Sequence, residues 1–256
     1  MIKIVFFDID GTLVSPITRE IPDSARLAIK ALQYKGILCF AATGRHPNNT
    51  KGIGLEELNL DGIIGLNGQI AVDKNHNVLY CNALDKADQE IIAKTFNEGK
   101  VSLAIVEKDR QYFNFITETA IAIRKKFMLP MPDISTYNGA EILQAIAYIN
   151  EEDEAELMAK FKNCKSARWN SAGIDIINKS GGKDVGINKL INILGIKQEE
   201  TMAFGDNYND LDMLNFVHIG VSMGNGIDAL KEAADYVTDT PEDGGIYNAL
   251  KHFEII

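Results

Sequence analysis

Cysteine is scarce. The 256 residues carry three, Cys39, Cys81 and Cys164, odd in number and far apart. That spacing excludes a disulfide framework and a cysteine metal knuckle, and it suits a reducing compartment. Each reads as a small apolar filler. No apolar run approaches the ~20 residues needed to cross a bilayer. No charged-then-apolar leader precedes the first strand. The expectation is therefore a soluble, cytoplasmic protein with no membrane partner. Positive charge is short as well: 26 Lys and Arg stand against 36 Asp and Glu, a formal net charge of -10. That balance excludes a general attraction to nucleic acid. It also repels an anionic substrate, so any phosphate site has to be built from local cations. The four histidines, His46, His76, His218 and His252, show no ligand spacing and read as structural or exposed. There is no internal repeat and no low-complexity tract.

What is present is ordinary globular material, 46% hydrophobic and 24% charged, of a length for one large domain or two modest ones. The first third alternates strand and helix. Strands are expected at 2–7, 37–42 and 62–66. The segment 23–36 has an acidic start, Leu27, Ile29, Ala31 and Leu32 on an apolar face, and a Gly36 stop, so it reads as a helix. A weaker helix is expected around 46–58. The pattern then changes. Hairpins are expected at 69–82, around "KDR" (108–110) and over 166–178, with helices at 85–98, 118–127 and 151–161, a strand at 142–150 and a Pro-punctuated loop at 128–133. Hairpins imply antiparallel strands. From about 183 the alternation resumes: helix 184–194 with Ile187, Leu190, Ile191 and Leu194 on one face, then strands 201–205, 219–223 and 236–238 between helices 209–215, 227–234 and 245–252. The simplest organisation is an α/β fold: a Rossmann-like parallel-sheet core made of residues 1–81 and 183–256, with an α+β unit inserted at 82–182.

The chemistry collects at strand ends. The stretch "VFFDIDGTLV" (5–14) runs from a strand into Asp8 and Asp10. Strand 37–42 ends at Thr43, Gly44 and Arg45, strand 62–66 at Asn67 and Gly68, and strand 201–205 at Asp206, with Asn209 and Asp210 just beyond. Ligands of open parallel sheets bind outside the carboxyl ends of the strands, so adjacent strands bring these groups to one crevice. Crowded carboxylates force a pKa upward unless a cation removes the conflict. Oxygen-only ligands favour a hard ion, Mg2+ before Zn2+. An aspartate at a strand end also serves as a turn or helix cap, a role open to Asp206; one cap needs one side chain, so Asp8 and Asp10 together ask for more. Alternation along an extended chain sets Asp8 and Asp10 on one side with Ile9 turned away. Gly11 permits a tight turn and Thr12 can tie it down. Lys183 opens a helix, where a bound anion would offset the unfavourable dipole; taken alone, a solvated surface lysine is the simpler reading. Arg45 either reaches an anion or pairs with a surface acid. "MGNG" (223–226) and "EDGG" (242–245) read as loops. Trp169 and Tyr148 read as core residues of the inserted unit.

These residues, in this order, resemble the haloacid dehalogenase-like phosphatases of the Cof-type, class IIB subfamily. "DIDGT" is similar to the first motif, "ATGR" carries the second-motif Thr43, Lys183 fits the third, and "GDNYND" matches the fourth. "LNG", "MGNG" and "EDGG" are similar to local patterns of that subfamily, with Thr240-Pro241 a mild departure. The resemblance covers the whole chain and implies a phosphoric monoester hydrolase. Asp8 would be the nucleophile, forming an aspartyl-phosphate, and Asp10 the general acid and base. Mg2+ would be held by the Asp8 and Asp206 carboxylates and the Asp10 backbone carbonyl, with Asp210 helping directly or through water. Thr43, Gly44, Arg45, Lys183 and Asn209 would serve the substrate phosphate. The inserted unit would be a cap that selects the leaving group, and the partner a small phosphorylated metabolite such as a sugar phosphate. Two other readings use the same aspartate: a phosphomutase, and a non-enzymatic receiver-like phospho-acceptor, which has no use for an acid two positions after the nucleophile.

Overall fold

The computed structural model describes residues 1–126 and 129–256, together with the backbone but not the side chain of Asn170. The position 127 expected to end a helix and the position 128 expected to open a loop lie outside the described residues. In chain order the elements are β1 Ile4–Phe7, α1 Asp23–Tyr34, β2 Leu38–Ala42, β3 Gly62–Gly65, β4 Ile70–Asp73, β5 Val78–Cys81, α2 Lys86–Glu98, β6 Ser102–Val106, β7 Gln111–Phe113, α3 Glu118–Lys126, β8 Gln144–Tyr148, α4 Glu151–Met158, β9 Cys164–Asn170 and β10 Gly173–Asn178. The chain continues with α5 Lys183–Leu194, β11 Thr201–Gly205, α6 Leu211–Phe216, β12 Ile219–Ser222, α7 Asp228–Ala233, β13 Tyr236–Val237 and α8 Gly245–His252. They fall into two compact units, Met1–Tyr80 with Gly182–Ile256, and Cys81–Gly181.

The first unit is built on a sheet of order β13-β12-β11-β1-β2-β3-β4-β5. The six strands from β13 to β3 run parallel, and β4 pairs antiparallel with β3. Alternation along β1 explains the layers. Val5 and Phe7 face one way, into a cluster with Ala28, Ile29 and Leu32 of α1 and Ile246, Ala249 and Leu250 of α8. Ile4 and Phe6 face the other way, into a cluster with Ile187, Leu190 and Ile191 of α5, Met213 and Leu214 of α6 and Leu230 of α7. Helices thus cover both faces, as a sheet of buried apolar strands requires. The strands whose ends carry the candidate groups, β11, β1, β2 and β3, are consecutive in this order.

Four local expectations are corrected. In α1 the buried stripe is Ala25, Ala28, Ile29 and Leu32, the i, i+3, i+4, i+7 set, and Leu27 is exposed. Leu194 closes α5 beside Gly195 and is also exposed, because it lies past the buried turn. The helix expected at 46–58 is two short 3-10 turns, Pro47–Thr50 and Leu55–Leu58, because Gly52 and Gly54 adopt φ 79° and 84° between them. Of the three cysteines, Cys39 and Cys164 are buried fillers and Cys81 is exposed.

The second unit is a five-stranded antiparallel sheet of order β7-β6-β8-β10-β9. One face packs Leu103, Ile105, Ala145, Ala147, Ile174 and Ile176 against Ile92 and Phe96 of α2 and Leu157 of α4. The other sets Ala104, Phe113 and Tyr148 against Ala120 of α3, with half-buried Trp169 stacked edge-on to Tyr148. No helix among the described residues is long and apolar enough to cross a membrane.

Candidate active site

The site lies at the carboxyl ends of β11, β1, β2 and β3. The ladder carries Asp8 past the end of β1, its N–H donating to the Phe204 carbonyl at 2.9 Å. The chain then folds back, with Gly11 N–H on Val14 O and Val14 N–H on Ile9 O at 2.9 and 2.8 Å. Ile9 is fully buried. Gly11 is at φ 102°, a region L side chains rarely adopt, and a Cβ there would stand 2.2 Å from Asp206 Oδ2. Glycine is required twice over, by the turn and by the approach of Asp206. Thr12 does not tie down its own turn: its hydroxyl donates to Asp206 Oδ1 at 3.1 Å, across 194 residues of sequence.

Asp8, Asp206 and Asp210 each place an oxygen within 4.8 Å of the others. Lys183 joins them. Its ammonium donates to Asp8 Oδ1 and to Asp210 Oδ1, both at 2.6 Å, and its side chain is 0% exposed. The surface-lysine reading is therefore overturned: α5 begins at Lys183 and directs the side chain inward. Asp210 is held on both oxygens, since its Oδ2 also accepts the backbone N–H groups of Asp206 and Asn207 at 3.0 Å each. It is both a member of the carboxylate group and the cap of the loop that presents Asp206.

Burial pushes the Asp8 carboxyl up; Lys183 opposes this, Asp210 and Asp10 add to it, and the result is about 7. Asp206 is pushed up to about 8 by burial and by Asp8 and Asp210, against the Thr12 hydrogen bond and Lys183. Burial would lower the Lys183 ammonium, but Asp210 and Asp8 more than offset it and hold it above the ordinary lysine range. Three carboxylates share one buried cation, so the group is short of positive charge.

The remaining expected residues sit around this centre. Arg45 pairs with Asp10 in a fork, Nε on Oδ2 at 2.7 Å and Nη2 on Oδ1 at 2.6 Å. Asp10 thus contributes no carboxylate to the group of three; the ligand assigned to it by resemblance is its backbone carbonyl. Thr43 is buried and accepts the Arg45 N–H at 3.1 Å, which leaves its own proton to donate. Gly44 lies against Asn67, whose Oδ1 would be 3.2 Å from a Cβ. Asn209 is exposed and its Nδ2 reaches Asn67 Oδ1 at 3.3 Å.

Several supporting residues carried no sufficient local signal. Asn67 is buried at φ 50°, next to Leu66 at φ 53°. Consecutive left-handed residues that are not glycine are costly and are retained where the surroundings over-determine them. The loop 223–226 is more than a connection: Asn225 Nδ2 donates to the Gly11 carbonyl at 2.9 Å, and Ile227 N–H to the Asp206 carbonyl at 3.0 Å. The loop 242–245 is likewise anchored, with the Ser15 hydroxyl donating to Glu242. His46 caps the turn at 47–50 by accepting the Asn48 N–H at 3.0 Å.

Residues 5–250 match the family model of haloacid dehalogenase-like hydrolases. The Bacillus subtilis (strain 168) protein YkrA is 34% identical over 259 residues, covering 99% of this chain and 98% of YkrA. A second relative from that organism, the 5-amino-6-(5-phospho-D-ribitylamino)uracil phosphatase YitU, is 27% identical and covers 98% of this chain and 97% of its own. Among solved structures, the HAD subclass IIB sugar phosphatase BT4131 superposes with a TM-score of 0.89 at 35% identity, covering 99% of this chain and 100% of that one. The phosphatase BT1666 of Bacteroides thetaiotaomicron gives 0.89 at 30% identity, covering 100% and 96%.

Proposed function

The chain belongs to the haloacid dehalogenase-like hydrolases, and we propose that this phosphoric monoester hydrolase acts on small phosphorylated metabolites, sugar phosphates among them, through a phosphoaspartate on Asp8 and with Mg2+. The observation that carries the reading is Asp8 itself. It is a buried carboxylate at the end of a central parallel strand, with Lys183 at 2.6 Å and two further carboxylates beside it. The donor set fits a hard divalent cation: it is all oxygen, short of positive charge, and framed by a glycine that leaves Asp206 room. Asp8 and Asp206 would hold the ion with the Asp10 backbone carbonyl, and Asp210 would support them directly or through water. When bound, the ion supplies the charge that lets an anionic phosphate meet an anionic nucleophile.

The chain's own residues divide the remaining work. An Asp8 oxygen forms the bond to phosphorus while the ester P–O bond breaks, and Asp10 gives a proton to the departing oxygen. Lys183 uses two of its three N–H groups on Asp8 and Asp210; the third is left for a phosphoryl oxygen. The Thr43 hydroxyl, the Gly44 N–H and the Asn209 amide serve the other phosphoryl oxygens, where charge must be met. The inserted unit Cys81–Gly181 would select the leaving group. The likeness to sugar phosphatases supports sugar phosphates as the first substrates to try. The test is phosphate release from a panel of phosphomonoesters with Mg2+. Wild-type protein should turn over members of the panel, and Asp8→Asn, still folded, should release none. A folded wild type inert on the whole panel would overturn the proposal.

A further inference from the structure

Sequence alone offered Arg45 as a phosphate ligand or as the partner of a surface acid. We infer that Arg45 is a positioning residue: it orients the Asp10 carboxylate as the base that takes a proton from water when the phosphoaspartate is hydrolysed. This rests on the proposed phosphoaspartate at Asp8.

The geometry has three parts. First, the contact is a bidentate fork, with two N–H···O bonds of 2.7 and 2.6 Å to the two carboxylate oxygens. Such a fork fixes the carboxylate plane as well as neutralising its charge. Second, the two partners are unequally anchored. Arg45 is buried, its N–H donates to Thr43 Oγ1 at 3.1 Å, its carbonyl accepts the Leu66 N–H at 3.0 Å, and its Nη1 reaches the Asn49 carbonyl at 3.4 Å. Asp10 lies beyond the end of β1, immediately before the left-handed Gly11, and its side chain is 42% exposed. Arg45 is the only side chain among the described residues that hydrogen-bonds the Asp10 carboxylate. The buried, multiply bonded partner therefore sets the exposed one. Third, a guanidinium already neutralised by a carboxylate offers a phosphate little net field, and binding phosphate would cost it two charge-assisted bonds.

In the step assigned, the water oxygen bonds to phosphorus as one of its protons passes to the Asp10 carboxylate. The bond between phosphorus and the Asp8 oxygen breaks, and its electron pair returns to Asp8. Inorganic phosphate leaves.

The test uses p-nitrophenyl phosphate, whose leaving group departs without a proton. Arg45→Lys keeps the cation but loses the fork; Arg45→Gln loses both. Each is compared with wild type and with Asp10→Asn by rapid mixing, by acid quench with labelled phosphoryl donor, and by melting. With either Arg45 variant, a burst of about one p-nitrophenolate per site should precede a steady rate at least about tenfold slower than wild type. Phosphoenzyme should accumulate and KM should not rise. Arg45→Lys is the milder change and carries the test if Arg45→Gln does not fold. A raised KM with no burst would assign Arg45 to substrate phosphate and overturn the inference. So would a slower rate without phosphoenzyme while Asp10→Asn accumulates it. If Asp10→Asn is not labelled either, the phosphoaspartate reading falls and this inference with it.

Discussion

At the scale of single residues, the site is a problem in charge. Asp8 and Asp206 are driven to about 7 and about 8, chiefly by burial. An acid whose pKa rises on folding binds more protons folded than unfolded between the two values. Stability of the metal-free protein therefore falls as pH rises through that window, from the ordinary carboxylate range near 4 up to about 8. A divalent cation replaces the protons, so it should help most where they are gone. Melting with and without Mg2+ across about pH 5.5 to about pH 8.5 should show the metal-free midpoint falling and the Mg2+ increment growing. An increment that stays flat across the range would mean these carboxylates do not hold the ion. Lys183 supplies the complementary prediction. It is the buried cation between Asp8 and Asp210, and removing one partner of such a pair costs about 3–5 kcal/mol. Lys183→Met should lose turnover and that much stability near neutral pH, read by denaturant titration. The loss should shrink toward acid pH as the carboxylates take protons. A stability unchanged at pH 7 would count against this balance.

At the scale of elements, the turn after β1 and the loop after β11 form one device. Gly11 and Gly36 are both left-handed, at φ 102° and 74°, but a Cβ on Gly36 meets nothing within 4 Å, whereas one on Gly11 meets Asp206 at 2.2 Å. Alanine at either position costs about 1–3 kcal/mol of backbone strain. Only Gly11→Ala should also abolish the shift in melting temperature produced by Mg2+. Equal retention of that shift in both variants would separate the turn from the ion. The same comparison shows how much was readable in advance. The strands, their polar ends and most helices were legible, because hydrophobic period, acidic helix starts and glycine stops are local. Leu27 and Leu194 were misjudged because an apolar residue near a stripe need not lie in it. The braces were not legible. Thr12 finds Asp206 across 194 residues, Asn225 finds Gly11 across 214, and Ser15 finds Glu242 across 227. In each case an ordinary loop residue gains its role only from the order in which the strands assemble. Lys183 shows the same effect in one side chain: at a helix start it looks solvated, and the packing of α5 on the sheet buries it.

At the scale of the whole molecule, the first unit is made from both ends of the chain, and residues 81–181 intervene. Closing so long a loop carries an entropic cost that grows slowly with length. The cost is smaller if the intervening segment folds with its ends together. The second unit does this: Asn178 Nδ2 near its exit donates to the Ala83 carbonyl near its entry at 3.0 Å. It also has apolar clusters on both faces of its own sheet, one under α2 and α4 and one under α3. A segment with its own core and adjoining ends satisfies what an independently folding domain requires. Residues 81–181 expressed alone should therefore give a folded α+β spectrum by circular dichroism and a cooperative melt. Mg2+ should leave that midpoint where it is, because Asp8, Asp206 and Asp210 all belong to the first unit. A fragment that is unfolded or melts without cooperativity would mean that its order depends on the rest of the chain.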